Sequence, residues 1–135
     1  MEDYAARCAS STDPATRAAR RGSAQRYLRS TDRAVQIVVA RVGGHVAGYA
    51  VLRIEPTRVA YLRSALTGAE FRRRGVFLSL VAHRLALARA VGRTVAVVQA
   101  MTTTSAPILM KRGFKPVCRL AAFTPKDGRA VPTKA

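Results

Sequence analysis

The sequence predicts an α+β fold, with α/β/α layers around a mixed sheet that is mostly antiparallel and holds one parallel strand pair. Three observations carry this expectation. Residues Ala34–Leu66 contain three β-rich runs joined by short turns, the pattern of a meander. Thr67–Gly92 reads as a basic, glycine-containing loop that feeds into a helix. Arg93–Ala100 reads as a further strand. Strand, loop, helix, strand is a crossover unit, whose two strands lie side by side and near parallel.

The elements follow in order. Met1–Ser11 is polar and is expected to fray. Thr12 or Asp13 caps a helix with Pro14 at its first position, continuing over Ala15–Arg21. Gly22-Ser23 is expected to interrupt it, with Ala24–Arg29 forming a second short piece that offers Tyr27 and Leu28 as apolar contacts. Ala34–Val42 is rich in Val and Ile and reads as a strand. Gly43-Gly44 is a two-residue hairpin signal. His45–Ile54 returns, with Val46, Gly48, Ala50, Leu52 and Ile54 expected on one face. Glu55-Pro56-Thr57 is a turn, and Arg58–Leu66 is the third strand, with Ala60, Leu62, Ser64 and Leu66 on one side. The following helix carries a stripe at Leu78, Val81, Leu85 and Ala88 and stops at Gly92. Thr94–Ala100 is apolar up to Gln99, as expected of a buried central strand. Thr104 or Ser105 caps a short helix over Ala106–Arg112 that ends at Gly113. Lys115–Thr124 is expected as a final strand.

At 135 residues the chain makes one domain, large enough to bury a core, and 49% hydrophobic residues exclude disorder of the whole. We divide it into a polar helical segment (1–33), a central domain (34–124) and a polar tail (125–135). With 24 basic and 7 acidic residues the formal net charge is +17, a field that attracts polyanions: nucleic acid, anionic lipid or a phosphate-bearing cofactor. The basic residues are scattered, however, and lack the interleaved aromatics that stack on bases. Weak, nonspecific nucleic-acid binding is therefore the expectation. Cys8 and Cys118 stand outside any Cys-x-x-Cys or Cys/His cluster, so no metal site is expected. No apolar run approaches the ~18 residues of a membrane span, and the start lacks an apolar signal core. A cytoplasmic protein that does not enter membranes is expected.

The loop's chemistry is anion binding. A helix start leaves backbone N–H groups without partners and concentrates the positive end of the helix dipole there. Gly75 lets the backbone turn tightly and approach a ligand, and Arg72, Arg73 and Arg74 add forked donors suited to phosphate oxygens. A pyrophosphate is the natural guest.

Three stretches then carry a resemblance. Arg72-Arg73-Arg74-Gly75-Val76-Phe77 resembles the Arg/Gln-x-x-Gly-x-Gly/Ala loop of the GNAT superfamily of acyl-CoA-dependent N-acyltransferases. Gly44–Leu52 is similar to that family's second and third strands, where a Gly-x-x-x-Gly-aromatic segment follows a tight turn. Thr104–Phe114 is similar to its late short helix ending in Gly-Phe. The three occur in family order and cover roughly Ala34 to Thr124. The resemblance implies an acyl-CoA N-acyltransferase-like fold and acetyl-CoA or CoA as cosubstrate, with no metal. It places the pyrophosphate on the backbone of Arg72, Arg73, Arg74, Gly75, Val76, Phe77 and Leu78. It places the pantetheine arm along Leu66, Thr67 and Gly68, where the strand before the loop diverges from its parallel neighbour. In the hydroxyl-rich loop before the late helix it adds Thr102 and Ser105. Family members begin with a strand and two helices; here only the helical part is evident, so the expectation is an N-terminally short member or the closing half of a longer arrangement, with an open sheet edge that a dimer or another partner can cover.

Two departures bear on function. Phe77 replaces the usual Gly or Ala, so its ring must turn into the core. The position often held by the tyrosine thought to protonate the leaving thiolate is Leu109, which has no proton to give; Thr102 stands where asparagine is common. No general base is evident. Glu55 and Glu70 are the only acidic residues between Ala34 and Thr124: Glu55 reads as solvated in its turn, Glu70 as an ion-pair partner of the arginines. His45, His83 and Tyr61 have plain structural readings, and no Ser-His-Asp or Cys-His constellation appears. The catalytic residues stay unassigned. The expected activity is transfer of an acetyl group from acetyl-CoA to a primary amine of a small molecule or protein by direct attack. The alternatives are a catalytically degenerate CoA-binding or interaction domain and a basic nucleic-acid-binding protein.

Overall fold

The computed structural model describes residues 14–29 and 31–121. The elements are α1 (Pro14–Arg29), β1 (Val35–Val42), β2 (His45–Ile54), β3 (Val59–Thr67), a 3₁₀ turn (Ala69–Phe71), α2 (Val76–Ala90), β4 (Val95–Val98) and α3 (Ser105–Met110). They fall in two compact units that divide between Gln99 and Ala100.

In the first unit the four strands lie in the order β1-β2-β3-β4. The first two pairings are antiparallel and the last is parallel, so the expected mixed sheet with one parallel pair is present. Asp32 Oδ1 accepts from the Ala34 N–H at 2.9 Å and turns the chain into β1. Gly43 and Gly44 both have positive φ, 56° and 80°, the requirement of the tight turn whose twist matches a β-hairpin.

Helices cover both faces of this sheet. On one face Tyr49 packs with Ile37, Leu66 and Leu28 of α1. On the other, Ala47 and Ala50 pack against Val76 and Leu80 of α2. β2 therefore has no solvent face, and Val46–Leu52 is buried throughout.

Several expectations are corrected. The N-terminal helix is continuous across Gly22-Ser23. A glycine inside a helix costs only about 1 kcal/mol relative to alanine, too little by itself to end one. The proposed caps Thr12 and Asp13 lie outside the described residues, as does any first strand within 1–13. The buried stripe of α2 is Val76, Leu80, Val81, Arg84 and Ala88, not Leu78, Val81, Leu85 and Ala88. The helix starts at Val76, on the glycine itself, and Leu78 and Leu85 flank the stripe half-buried. Its end is as expected: Gly92 has φ 75°, and the Arg93 N–H donates to the Ala88 carbonyl at 2.9 Å.

Strict alternation along β2 and β3 also fails, because each pairing contains a register shift. Ala40 opposes Gly48 while Arg41 opposes Val46, leaving Ala47 as an extra residue. Ala50 opposes Ala65 while Val51 opposes Arg63, leaving Ser64 as another. An extra residue moves everything beyond it to the other face. Ala60 and Leu62 are buried as expected, but Ser64 is exposed. Leu66 joins the Tyr49 cluster on the face opposite to α2.

The fourth strand is shorter than expected and is no buried central strand. Val95 and Val97 are 36% and 42% exposed, and among the described residues β4 pairs only with β3.

In the second unit α3 begins at Ser105 and ends before Gly113, whose φ is 92°. The Phe114 N–H closes the end by donating to the Leu109 carbonyl at 3.2 Å. The final strand expected over Lys115–Thr124 is not formed in 115–121, and 122–124 lie outside the described residues. Val117 is 89% exposed, and without a pairing partner these residues have nothing to hold an extended ladder.

Candidate functional site

The site is built where β3 leaves β4. Their pairing runs from Val59↔Val95 to Leu62↔Val98 and stops, while β3 continues to Thr67. The divergence coincides with the Ser64 bulge, where φ is 37°. A bulge bends its strand and increases its twist, which is how one residue turns the end of β3 away from a straight neighbour. The Gly68 N–H then donates to the Ala47 carbonyl at 2.8 Å, so one register break in the sheet anchors the chain leaving the other.

After Gly68 the 3₁₀ turn drops Phe71 against the Ala47, Ala50, Val76 and Leu80 cluster and so fixes the base of the loop. The Arg74 guanidinium lies 5.7 Å from the centre of the Phe71 ring. Arg73 and Gly75 both adopt left-handed backbone, φ 59° and 76°. Alternating backbone of this kind directs successive N–H groups into a concavity that suits an anion. The Ser79 N–H donates to the Gly75 carbonyl at 2.9 Å, so the amides of Gly75, Val76, Phe77 and Leu78 precede the first helical bond. A Cβ placed on Gly75 would meet nothing within 4 Å, so the space beside this residue is open. Arg72, Arg73 and Arg74 are exposed, and Phe77 is half-buried, its ring only partly taken in. Open space, free amides and clustered cations fit a pyrophosphate.

Leu66, Thr67, Gly68 and Arg72–Leu78 thus form one continuous strand end, loop and helix start. Thr102 and Ser105, expected at the same site, lie in the second unit. Ser105 Oγ accepts from the Met101 N–H at 2.9 Å, which shapes its own turn, and Thr102 is exposed. Leu109 is buried.

The remaining candidates offer no activated group. Glu55, expected to be solvated, instead accepts from Arg53 Nε at 2.9 Å. Glu70 lies exposed on the 3₁₀ turn, and His45 and His83 are exposed. Arg63 sits 5.4 Å over the ring of half-buried Tyr61. Cys118 is an exposed free thiol, and Cys8 lies outside the described residues. Among the described residues no three His, Cys, Asp or Glu side chains gather as metal ligands, and no helix is long and apolar enough to cross a membrane.

One buried group, Arg84, is not among the candidates that the sequence offers. Arg84 is 1% exposed. Its Nε donates to the Leu80 carbonyl, and its Nη1 to the carbonyls of Val51 and Arg63, each at 3.1 Å. Burial lowers its pKa from the usual value to about 10, which leaves it charged at neutral pH. The one local signal was its place four residues from Leu80 and four from Ala88, on the buried stripe.

Among solved structures, an aminoglycoside N-acetyltransferase in complex with a CoA bisubstrate analogue is similar with a TM-score of 0.70 and 17% identity, over 93% of this chain and 90% of that one. An acetyltransferase of Trypanosoma brucei gives a TM-score of 0.68 at 16% identity, over 92% of both chains. A transcriptional regulator of Bacillus halodurans C-125 gives 0.73 at 14% identity, over 90% and 91%. At such identities these likenesses speak to fold. A search of curated proteins finds no match. The model of the acetyltransferase (GNAT) family matches residues 3–114, most of the sequence. The chain belongs to the GNAT acetyltransferase family.

Proposed function

We propose that this protein is an N-acetyltransferase that moves an acetyl group from acetyl-CoA to a primary amine by direct attack. The observation that carries this reading is the strand end that leaves its parallel neighbour and runs straight into an open, arginine-bearing anion loop at a helix start. We place the cofactor site on Leu66, Thr67, Gly68 and Arg72–Leu78, within a domain of residues 34–124. The pyrophosphate takes the amides of Gly75–Leu78 with charge from Arg72, Arg73 and Arg74. The pantetheine arm takes main-chain groups of Leu66, Thr67 and Gly68, past the end of the β3–β4 pairing at Leu62.

In the reaction the amine nitrogen attacks the thioester carbonyl, the C–S bond breaks, and CoA leaves as a thiolate. The nitrogen gives up a proton and the thiolate takes one, so protons balance without a covalent enzyme intermediate. No side chain of the described residues is an activated nucleophile, which supports direct attack. No tyrosine is assigned to protonate the thiolate, which takes its proton from water. A thiolate is a good leaving group in its own right, because thiols are far more acidic than alcohols, so the step does not require a tyrosine. Net charge +17 favours acidic or neutral acceptors over polycationic ones. Acetyltransferases of both small-molecule and protein amines occur among the structural neighbours, but the polycationic aminoglycosides taken by some of them are the kind of acceptor that this charge disfavours.

Leu109 and the unassigned base favour one second reading, a domain that binds CoA without turnover. Thiol release from acetyl-CoA across a panel of amines separates the two. Turnover with any acceptor retires the degenerate domain, and tight CoA binding with no turnover across the panel retires the enzyme.

A further inference from the structure

A buried arginine in the middle of the helix that follows the anion loop is a costly choice. Removing a cation from water is expensive, and an apolar side chain of similar volume is often neutral or stabilising in its place. Arg84 forms no ion pair among the described residues; its three hydrogen bonds all go to main-chain carbonyls. Two of those carbonyls, Val51 and Arg63, belong to residues that oppose each other across β2 and β3. They form the last regular pair before the register shift, and Ser64 is the extra residue beside them. One nitrogen, Nη1, therefore joins both strands at the break, while Nε holds the same side chain to its own helix at Leu80.

A bulge disrupts the ladder around it, and buried carbonyls without partners are costly. Arg84 supplies donors where the ladder fails. It also ties the bulge to α2, whose first residues form the anion loop. A leucine at this position would fill the space but leave both carbonyls undonated from that side.

We propose that Arg84 is a positioning residue: it holds the Ser64 bulge and fixes the diverging end of β3 relative to the loop, so that one ligand spans both. This rests on the acyl-CoA reading above. It assigns the charge a role that stability alone does not explain.

The test uses the full chain and the variants Arg84→Met and Arg84→Lys, with two readouts. The first is amide hydrogen exchange without ligand. In Arg84→Met, protection over residues 63–67 is expected to fall about tenfold, the effect of losing one or two hydrogen bonds, while the β1–β2 turn changes by less than about twofold. The second is calorimetry with CoA and, separately, inorganic pyrophosphate. CoA affinity is expected to fall about tenfold and pyrophosphate affinity by less than about twofold, because only the longer ligand needs both parts in register. Lysine keeps the charge and one donor group and is expected to recover part of each loss; if the methionine variant does not fold, Arg84→Lys carries the same comparison with smaller changes. Unaltered protection over 63–67 would overturn the proposal, and so would equal losses for CoA and pyrophosphate. If the wild type binds no CoA, the acyl-CoA reading fails, and hydrogen exchange alone decides whether Arg84 holds the bulge.

Discussion

Gly48 has no room for a side chain. A Cβ there would stand 2.5 Å from the Leu66 carbonyl oxygen and 3.1 Å from Val76 Cγ1, at the point where β3 turns out and α2 begins. The nearest obstacle is backbone, so accommodation means moving a strand. Gly48→Ala is expected to destabilise the fold by about 1–3 kcal/mol, the usual range for overpacking, read as a lower denaturant midpoint at constant slope. An unchanged midpoint would mean that β2 and β3 part easily. Arg84 makes a second residue-level prediction. Burial lowers its folded pKa to about 10, below its value in the unfolded chain. For a base with a depressed folded pKa, the unfolded chain holds more protons between those two values. This group's contribution to stability therefore rises with pH across that window. Measured as wild type minus Arg84→Met, the stability difference is expected to shift toward the wild type from pH 9 to pH 11. A difference that is flat or moves the other way contradicts the assignment of a desolvated guanidinium.

At the scale of elements, the Ser64 bulge does most to shape the site, and it stores strain. Ser64 has φ 37°, in the left-handed region that costs an L side chain about 1–2 kcal/mol. Ser64→Gly is expected to raise stability by about 0.5–1 kcal/mol, and Ser64→Val to lower it by at least as much. Thermal unfolding of the two variants checks this; opposite signs would show that the bulge is not where the strain sits. This element also marks the limit of what the sequence discloses. The Gly43-Gly44 hairpin, the Gly75 loop and the Gly92 stop were legible because turn chemistry is local: the residue that needs positive φ is itself the signal. Ser64 and Ala47 carry no such signal. Their register shifts arise from pairing between strands, so simple alternation misplaced Leu66. Arg84 was opaque for the same reason, since its partners Val51 and Arg63 lie 33 and 21 residues away. The short β4 and the missing strand over 115–121 show the reverse error: apolar, β-prone residues do not make a strand without a neighbour to pair with.

For the whole molecule, the charge of +17 is the property that the proposed site explains least. The loop accounts for three of 24 basic residues, and the other 21 are spread along the chain. Scattered cations bind polyanions through counterion release, without reading bases. Nucleic-acid binding is therefore expected to be weak, steeply salt-dependent and indifferent to CoA. A gel shift in moderate salt, with and without CoA, is the check; a sequence-selective complex, or one displaced by CoA, would assign the charge a purpose beyond this account.

Calorimetry with CoA on the wild type and Gly75→Asp is the decisive test of whether the Gly75 loop holds the pyrophosphate of CoA. Aspartate tolerates left-handed backbone better than most residues and caps helices well, so the variant keeps its fold while setting a carboxylate against the phosphates. Wild-type binding is expected to weaken by about tenfold or more in the variant, the scale of one charged contact reversed. A wild type that ignores CoA at about millimolar concentration, the weak end of specific binding, or a variant that binds it equally well, would contradict the account.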